Sequence, residues 1–203
     1  MYDGIALLTG GSYAEWAVLP ASHVMPLPKK LSFLEGGAIP EAWITAFQLL
    51  RLASVKAGDH VVVYAGASGV GTAAIQLCKL FGAHAWAVVS NEEKGKICQE
   101  VGASGVVFYK DNANWAKDLL AKKGSPFNVV LDCVGSGNVD STLELLSIDG
   151  KWVLFGLLSG GKLPEFNLGA LLMKRIHLIT TTLKTRSDEY KSNLIQDFSK
   201  TAL

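Results

Sequence analysis

Val-Val-Val-Tyr-Ala-Gly-Ala-Ser-Gly-Val-Gly, residues 61–71, is the stretch from which the fold can be read. It opens as a β-branched run too apolar for a half-exposed strand, as expected of a parallel strand buried on both faces. Three glycines follow, Gly66, Gly69 and Gly71, and the pattern from Thr72 to Lys79 behind them is helical. Strand, glycine turn and helix N-terminus in that order make an anion site. Free backbone N–H groups and the positive end of the helix dipole face whatever lies above the turn. The pyrophosphate of a dinucleotide suits such a site best. The spacing is G-x-x-G-x-G, not the usual G-x-G-x-x-G. Gly66 is expected to supply the tight turn. Gly69 and Gly71, with Ser68 and Val70 interleaved, are expected to let backbone approach phosphate and helix approach strand. Glycine clusters also end many strands merely to turn the chain, so the flanking strand and helix give this reading its weight.

Outward from this unit, strands and helices alternate. Strands are expected at 61–65, 85–89, 105–109, 128–133, 152–155 and 176–180. Helices are expected at 72–81, 92–101, 115–122, 139–146, 168–174 and 187–200. Right-handed crossovers turn this alternation into an α/β fold with a doubly wound, parallel, six-stranded sheet. The earlier chain differs. Residues 13–18 read as a single strand, and Pro20, Pro26 and Pro28 hold the following chain extended. Ser32-Phe33-Leu34-Glu35 is a capping box opening a short helix, and a long helix is expected over 41–53. A lone strand makes no sheet by itself. Residues 1–40 are therefore expected to be the remnant of a second, mostly β domain, and 41–203 the nucleotide-binding domain.

Bulk properties narrow the function classes. The 203 residues are 49% hydrophobic and only 18% charged, which suits a sheet covered on both faces. Net charge is +1 and the lysines are scattered rather than striped, which argues against nucleic acid as a partner. Cys78, Cys98 and Cys133 show no C-x-x-C pairing, so neither a disulfide framework nor a zinc knot is expected. No apolar run is long enough to span a membrane, and the N-terminus lacks a signal-peptide pattern. A reducing, cytoplasmic setting is the expectation.

Several stretches in order resemble the medium-chain dehydrogenase/reductases of the zinc-free quinone oxidoreductase branch. They are Ala6-Leu7-Leu8, Tyr13-Ala14-Glu15, Ile39-Pro40-Glu41-Ala42-Trp43, Ala57-Gly58-Asp59 and the glycine turn. Further on come Leu131-Asp132-Cys133-Val134-Gly135, the run from Gly150 to Gly156, and Lys174-Arg175-Ile176. Within the branch the chain is most similar to the tumour-suppressor-inducible type, which also carries Pro-Glu-Ala-Trp and Ala-Gly-x-Ser-Gly-Val-Gly. The resemblance covers essentially the whole chain. It implies a Rossmann domain with part of a GroES-like catalytic domain. It also implies further residues before Met1 and a return segment after Leu203.

The end of the second strand bears on cofactor choice. NAD-preferring folds place an acid there for the ribose 2′-OH, which would repel a 2′-phosphate. Here the strand ends Val88-Val89-Ser90-Asn91, Lys94 follows one turn later, and Tyr109 ends the third strand. Ser90, Lys94 and Tyr109 form a candidate 2′-phosphate site, as equivalent positions do in the family, and NADPH is the expected cofactor. Ser90 with Glu93 also reads as a capping box, and Glu92 keeps a ribose contact, and so NADH, open. Taken singly, Lys94 also reads as a solvated lysine and Tyr109 as a half-buried strand end.

The resemblance further places Thr45 against the nicotinamide or its phosphate. Cys133, Val134 and Gly135 end the fourth strand, Phe155, Gly156 and Leu157 end the fifth, and Leu183 follows the sixth, at the crevice where an open α/β sheet binds its ligand. Simple core packing is the alternative for the apolar members, above all Leu157 and Leu183. Hydride transfer needs little beyond positioning, since the cofactor carries the chemistry, and no catalytic residue is identified. Glu41 stands where zinc-dependent relatives have a metal ligand, but no histidine is spaced to join it, and its charge suits a helix N-terminus; no metal is expected. The implied activity is NADPH-dependent reduction of a quinone. An enoyl or alkenal reductase, or a nucleotide-binding module without catalysis of its own, remain as alternatives. The apolar strand 176–180 (Ile176 to Thr180) is expected to pair with its copy in a homodimer, the alternative being that a segment after Leu203 covers it.

Overall fold

The computed structural model describes residues 4–6, 11 and 13–203. At its start, β1 (Gly4–Ala6) pairs antiparallel with β2 (Val24–Pro26), with Gly4 opposite Pro26. The strand expected over 13–18 does not form; these residues are bends and irregular chain, all exposed. No described strand lies alongside to satisfy their backbone, and the ladder of this region uses β1 and β2 instead. Leu7 and Leu8 of the resemblance lie outside the described residues. α1 (Phe33–Gly37) opens on the expected capping box: Ser32 Oγ accepts the Glu35 N–H at 3.3 Å, and the Glu35 carboxylate accepts the Ser32 N–H at 2.8 Å. α2 (Ile39–Leu52) follows, with Pro40 in its first turn, where a missing N–H costs nothing.

The alternating pattern then becomes β3 (His60–Tyr64), α3 (Gly69–Leu80), β4 (His84–Val89), α4 (Glu92–Glu100) and β5 (Gly105–Phe108). It continues through α5 (Trp115–Lys123), β6 (Phe127–Asp132), α6 (Val139–Leu145) and β7 (Leu146–Leu154). α7 (Leu168–Lys174), β8 (His177–Thr180) and α8 (Asp188–Ala202) complete it. The six strands run β5-β4-β3-β6-β7-β8, all parallel. The expected sheet is therefore present, and strand order reverses between β3 and β6, the place where such sheets bind ligands.

Both faces of the sheet are covered, as the β-branched run demands. Val61 and Val63 pack with Ile44 and Leu49 of α2, Ile75 of α3 and Phe198 of α8. Val62 and Tyr64 pack on the other face with Leu119 of α5, Leu143 of α6 and Trp152. Tyr64 hydrogen-bonds Thr142 at 2.8 Å inside this second layer. β7 is longer than expected. It absorbs the Asp149-Gly150 turn as an irregularity between Leu146 and Lys151, with Asp149 at φ 60°. The exposed Asp149 carboxylate, held low by its hydrogen bonds to Arg175, pairs with that residue through Nε and Nη2. Among the described residues, no helix is long and apolar enough to cross a membrane.

Candidate functional site

The residue that turns the chain after β3 is Ala65, at φ 50°, not Gly66 as expected. Gly66 is needed for a different reason: a Cβ there would lie 2.7 Å from that of Ala87 on β4. Gly71 lets α3 sit down on the turn, since its Cβ would meet the carbonyl oxygens of Ala65 and Gly66 at 2.5 Å. Gly69 alone of the three has room for a Cβ, which would meet Ala42 of α2 at an ordinary 3.5 Å. Ser68 caps α3, its Oγ accepting the Gly71 N–H at 3.1 Å, and Val70 tucks against the core. The exposed edge of the turn is thus Ser68 and Gly69.

Above the turn, a cleft of about 460 Å³ spans the C-terminal ends of the central strands, a size in the range of small-molecule sites. Tyr64, Ala65, Ala67 and Ser68 line it at the turn, with Val88 and Val89 from β4. Ser90, Lys94 and Tyr109 stand together on one side. The capping box expected at Ser90 and Glu93 is not formed. Asn91, in extended conformation, caps α4 instead, its Oδ1 accepting the Lys94 N–H at 3.0 Å. That shift by one residue relieves Ser90 of capping and leaves it lining the cleft. Glu92 and Glu93 lie exposed in the first turn of α4, where the dipole favours acids. Neither lines the cleft. Lys94 is the one charged side chain among the described residues that do.

On the opposite side, the loop after β6 is fixed by Asp132. Its buried Oδ1 accepts the N–H groups of Val134 (2.7 Å) and Gly135 (3.0 Å), and its Oδ2 accepts Trp152 Nε1–H (2.9 Å). Burial pushes this carboxyl's pKa up, and the three donors pull it part of the way back. Val134 consequently faces the cleft. Three further residues line that side which the sequence reading did not single out: Asn138, Leu158 and Ser159. They sit in Gly-Ser-Gly-Asn and Leu-Leu-Ser-Gly-Gly stretches that read only as loop.

Of the expected site residues, Ser68, Ser90, Lys94, Tyr109 and Val134 therefore meet in one cleft, with Gly66, Gly69, Val70 and Gly71 in the turn itself. The rest are not among the residues that line it. Thr45 is half-buried on α2, one helical turn beyond Ala42. Cys133 is half-buried beside the Tyr64 carbonyl, its thiol pKa pushed up by burial and by Asp132. Gly135, at φ 84°, admits Gly160, whose carbonyl oxygen would be 2.6 Å from a Cβ. Gly156 lies against Cys133 in the same close manner. Phe155 and Leu183 are partly buried and pack against the core, and Leu157 is exposed. Glu41 is exposed in the first turn of α2. Among the described residues, no group of three or more His, Cys, Asp or Glu is placed to hold a metal ion.

The family described as zinc-binding dehydrogenase matches residues 69–200. The chain is 32% identical over 183 residues to a quinone oxidoreductase of Homo sapiens, covering 88% of this chain and 54% of that protein. It is 30% identical over 164 residues to alcohol dehydrogenase 1 of Neurospora crassa, covering 77% of this chain and 46% of that one. A solved quinone oxidoreductase of Thermus thermophilus, studied also in its complex with NADPH, superposes with a TM-score of 0.80. It is 27% identical and covers 96% of this chain and 60% of its own. The chain spans about half the length of the curated relatives it matches.

Proposed function

The chain belongs to the zinc-binding dehydrogenase family and is of its quinone-oxidoreductase type, and from that premise we propose that it holds NADPH for hydride transfer to a quinone. The turn fits the group. Gly69 is exposed at the start of α3, while Gly66 and Gly71 are closed by packing. A pyrophosphate above Gly69 would meet the N-terminus of a twelve-residue helix. The observation that supports NADPH over NADH is the meeting of Ser90, Lys94 and Tyr109 in a cleft whose one charged side chain, among the described residues, is a lysine. Two hydroxyls and an ammonium suit a phosphate, whereas a ribose 2′-OH is ordinarily met by an acid.

A reduced nicotinamide, when bound, supplies the hydride. The chain's own residues bind and orient it. Asp132 fixes the loop that carries Val134, and Thr45 sits one turn from the Ala42–Gly69 contact. The quinone acceptor is read from the human and Thermus relatives. The described residues offer no set of three or more His, Cys, Asp or Glu that fits a zinc ion. Residues 1–40, with a two-stranded ladder separate from the main sheet, are read as part of a second, mostly β domain.

A homodimer through β8 belongs to the same proposal. Among the described strands β8 pairs only with β7, Leu178 is exposed, and Leu172 and Met173 of the preceding helix are exposed as well. An open apolar edge favours an isologous contact with a second copy.

Lys94→Ala tests the cofactor assignment. Removing a charged donor from a phosphate is expected to cost about 1.5–3 kcal/mol, or roughly 10–150-fold in Kd for NADPH. NADH binding should change less than about twofold by the same conversion. Equal losses for both nucleotides would refute the 2′-phosphate site.

A further inference from the structure

The two ends of the main sheet are built differently. Among the described strands β5 pairs only with β4, as β8 pairs only with β7. Which backbone groups of β5 face outward follows from the ladder. Gly66 N–H, on the β3 side, donates to the Val88 carbonyl at 3.2 Å, and Tyr109 N–H, on the β5 side, donates to the Val89 carbonyl at 3.1 Å. The odd-numbered residues of β4 therefore serve β5. Ala87 stands opposite Val106, so Gly105, Val107 and Tyr109 bond back to β4. The N–H and C=O groups of Val106 and Phe108 point to the open edge.

An edge of this composition invites pairing with another chain. Val106-Val107-Phe108 is β-branched and aromatic, and Phe108 is exposed. A surface hollow flanks the strand toward α5 and another toward α4, and Phe108 and Lys122 line both. Lys122 closes the edge between them. It reaches from α5, and its Nζ donates to the Val106 carbonyl at 2.8 Å, the central outward acceptor of β5. At the other end of the sheet the neighbouring lysine is used inward. Lys174, just before β8, donates to the carbonyls of Leu143 (2.6 Å), Glu144 (3.3 Å) and Leu146 (2.9 Å), and Leu178 is left exposed.

We propose that Lys122 gates β5 as an autoinhibitory contact: its ammonium holds the carbonyl that a second copy of β5 must bond, and so keeps copies of this chain from joining through that edge. The partner the edge fits is its own copy, antiparallel about a two-fold axis. In such a pair the outward groups of Val106 and Phe108 meet those of the other copy, and half of the backbone bonds end on a Val106 carbonyl. A docking amide, a neutral donor, would have to displace a charge-assisted bond. Docking would also bury beside the new strand an ammonium that is now exposed to water. Loss of that ammonium removes both costs and leaves the apolar edge free to pair. The gate concerns the end of the sheet opposite β8 and does not depend on any bound nucleotide.

The test is sedimentation of the full chain carrying Leu178→Asp, which puts a charge on the β8 edge. Each further variant is read against Leu178→Asp alone, whatever its mass proves to be, so failure of the β8 reading leaves this test intact. Adding Lys122→Met, which keeps the apolar stem and removes the ammonium, should double the mass with an unchanged melting temperature. Lys122→Ala, which removes the stem as well, should do the same. Lys122→Arg keeps a charged donor and should leave the mass as it was. Adding Phe108→Lys to the Lys122→Met chain puts a charge back on the edge and should abolish the doubling. Folded Lys122→Met and Lys122→Ala chains that sediment like Leu178→Asp alone would overturn the proposal. So would doubling in Lys122→Arg, since the charge would then not be the gate. Doubling that persists with Phe108→Lys would place the contact elsewhere than β5 and overturn it equally.

Discussion

Gly69→Ala and Gly71→Ala, two residues apart in one turn, should fail in opposite ways. At Gly71 the added methyl carbon would sit 2.5 Å from two backbone carbonyl oxygens, those of Ala65 and Gly66. Backbone cannot rotate aside as a side chain can, so the turn must open or α3 must lift from it. Overpacking of this kind costs about 1–3 kcal/mol. For a chain of this size, 2 kcal/mol lowers the melting temperature by about 4–8 °C. At Gly69 the same methyl meets only Ala42, at an ordinary 3.5 Å, so the free chain should melt within about 2 °C of the original. That methyl does add bulk at the exposed edge of the turn. If a pyrophosphate lies there, NADPH affinity should fall by roughly tenfold or more, about 1.4 kcal/mol. Thermal melts by circular dichroism and nucleotide titration of both variants separate the two effects. The reasoning is refuted if Gly71→Ala melts like the parent, or if Gly69→Ala binds NADPH as the parent does.

Three further outcomes follow from the geometry. Asp132→Asn turns an NH₂ toward Trp152 Nε1–H or toward the Val134 and Gly135 amides, setting donor against donor. It should destabilise the chain by about 1.5–3 kcal/mol in a denaturant titration. His60 accepts the Trp86 indole N–H at 3.0 Å and stacks on His84. Burial, then Lys123 and His84, hold its pKa below the ordinary 6.5, with Asp59 opposing them. The fold therefore favours neutral imidazole: its contribution is complete above the unfolded pKa and is lost as pH falls below it toward the folded value. Melting temperature should hold steady above about pH 7 and decline below about 6.5, and His60→Gln should remove that part of the decline. Leu178→Asp, on the exposed side of β8, should give monomers in analytical ultracentrifugation if β8 joins two copies. Ile179 is the poorer choice, because it packs on the core and a charge there would test folding instead.

The sheet was legible because its strands are buried on both faces, so they appear as unbroken apolar runs such as 61–64. Strand ends shifted by a residue or so, as at β3, which begins at His60. The 13–18 segment misled because alternation and aromatic content mark a strand only where a neighbour accepts its hydrogen bonds, and no described strand does. Within the site, residues tied to a strand end followed by a helix were legible: Ser68, Ser90, Lys94 and Tyr109. The two errors there were both one-residue matters of backbone conformation. Ala65 rather than Gly66 takes the positive φ, and Asn91 rather than Ser90 caps α4. Asn138 and Ser159 had no signal of their own, because they come to one cleft only when the loops after β6 and β7 lock, Gly137 to Ser159, across 22 positions of sequence.

The measurement that tests the account most directly is tryptophan-fluorescence titration of the chain with NADPH and, separately, with NADH. Saturable NADPH binding, with NADH weaker by roughly 1.5–3 kcal/mol, is the predicted result. Equal affinity for the two, or none for either, would contradict it.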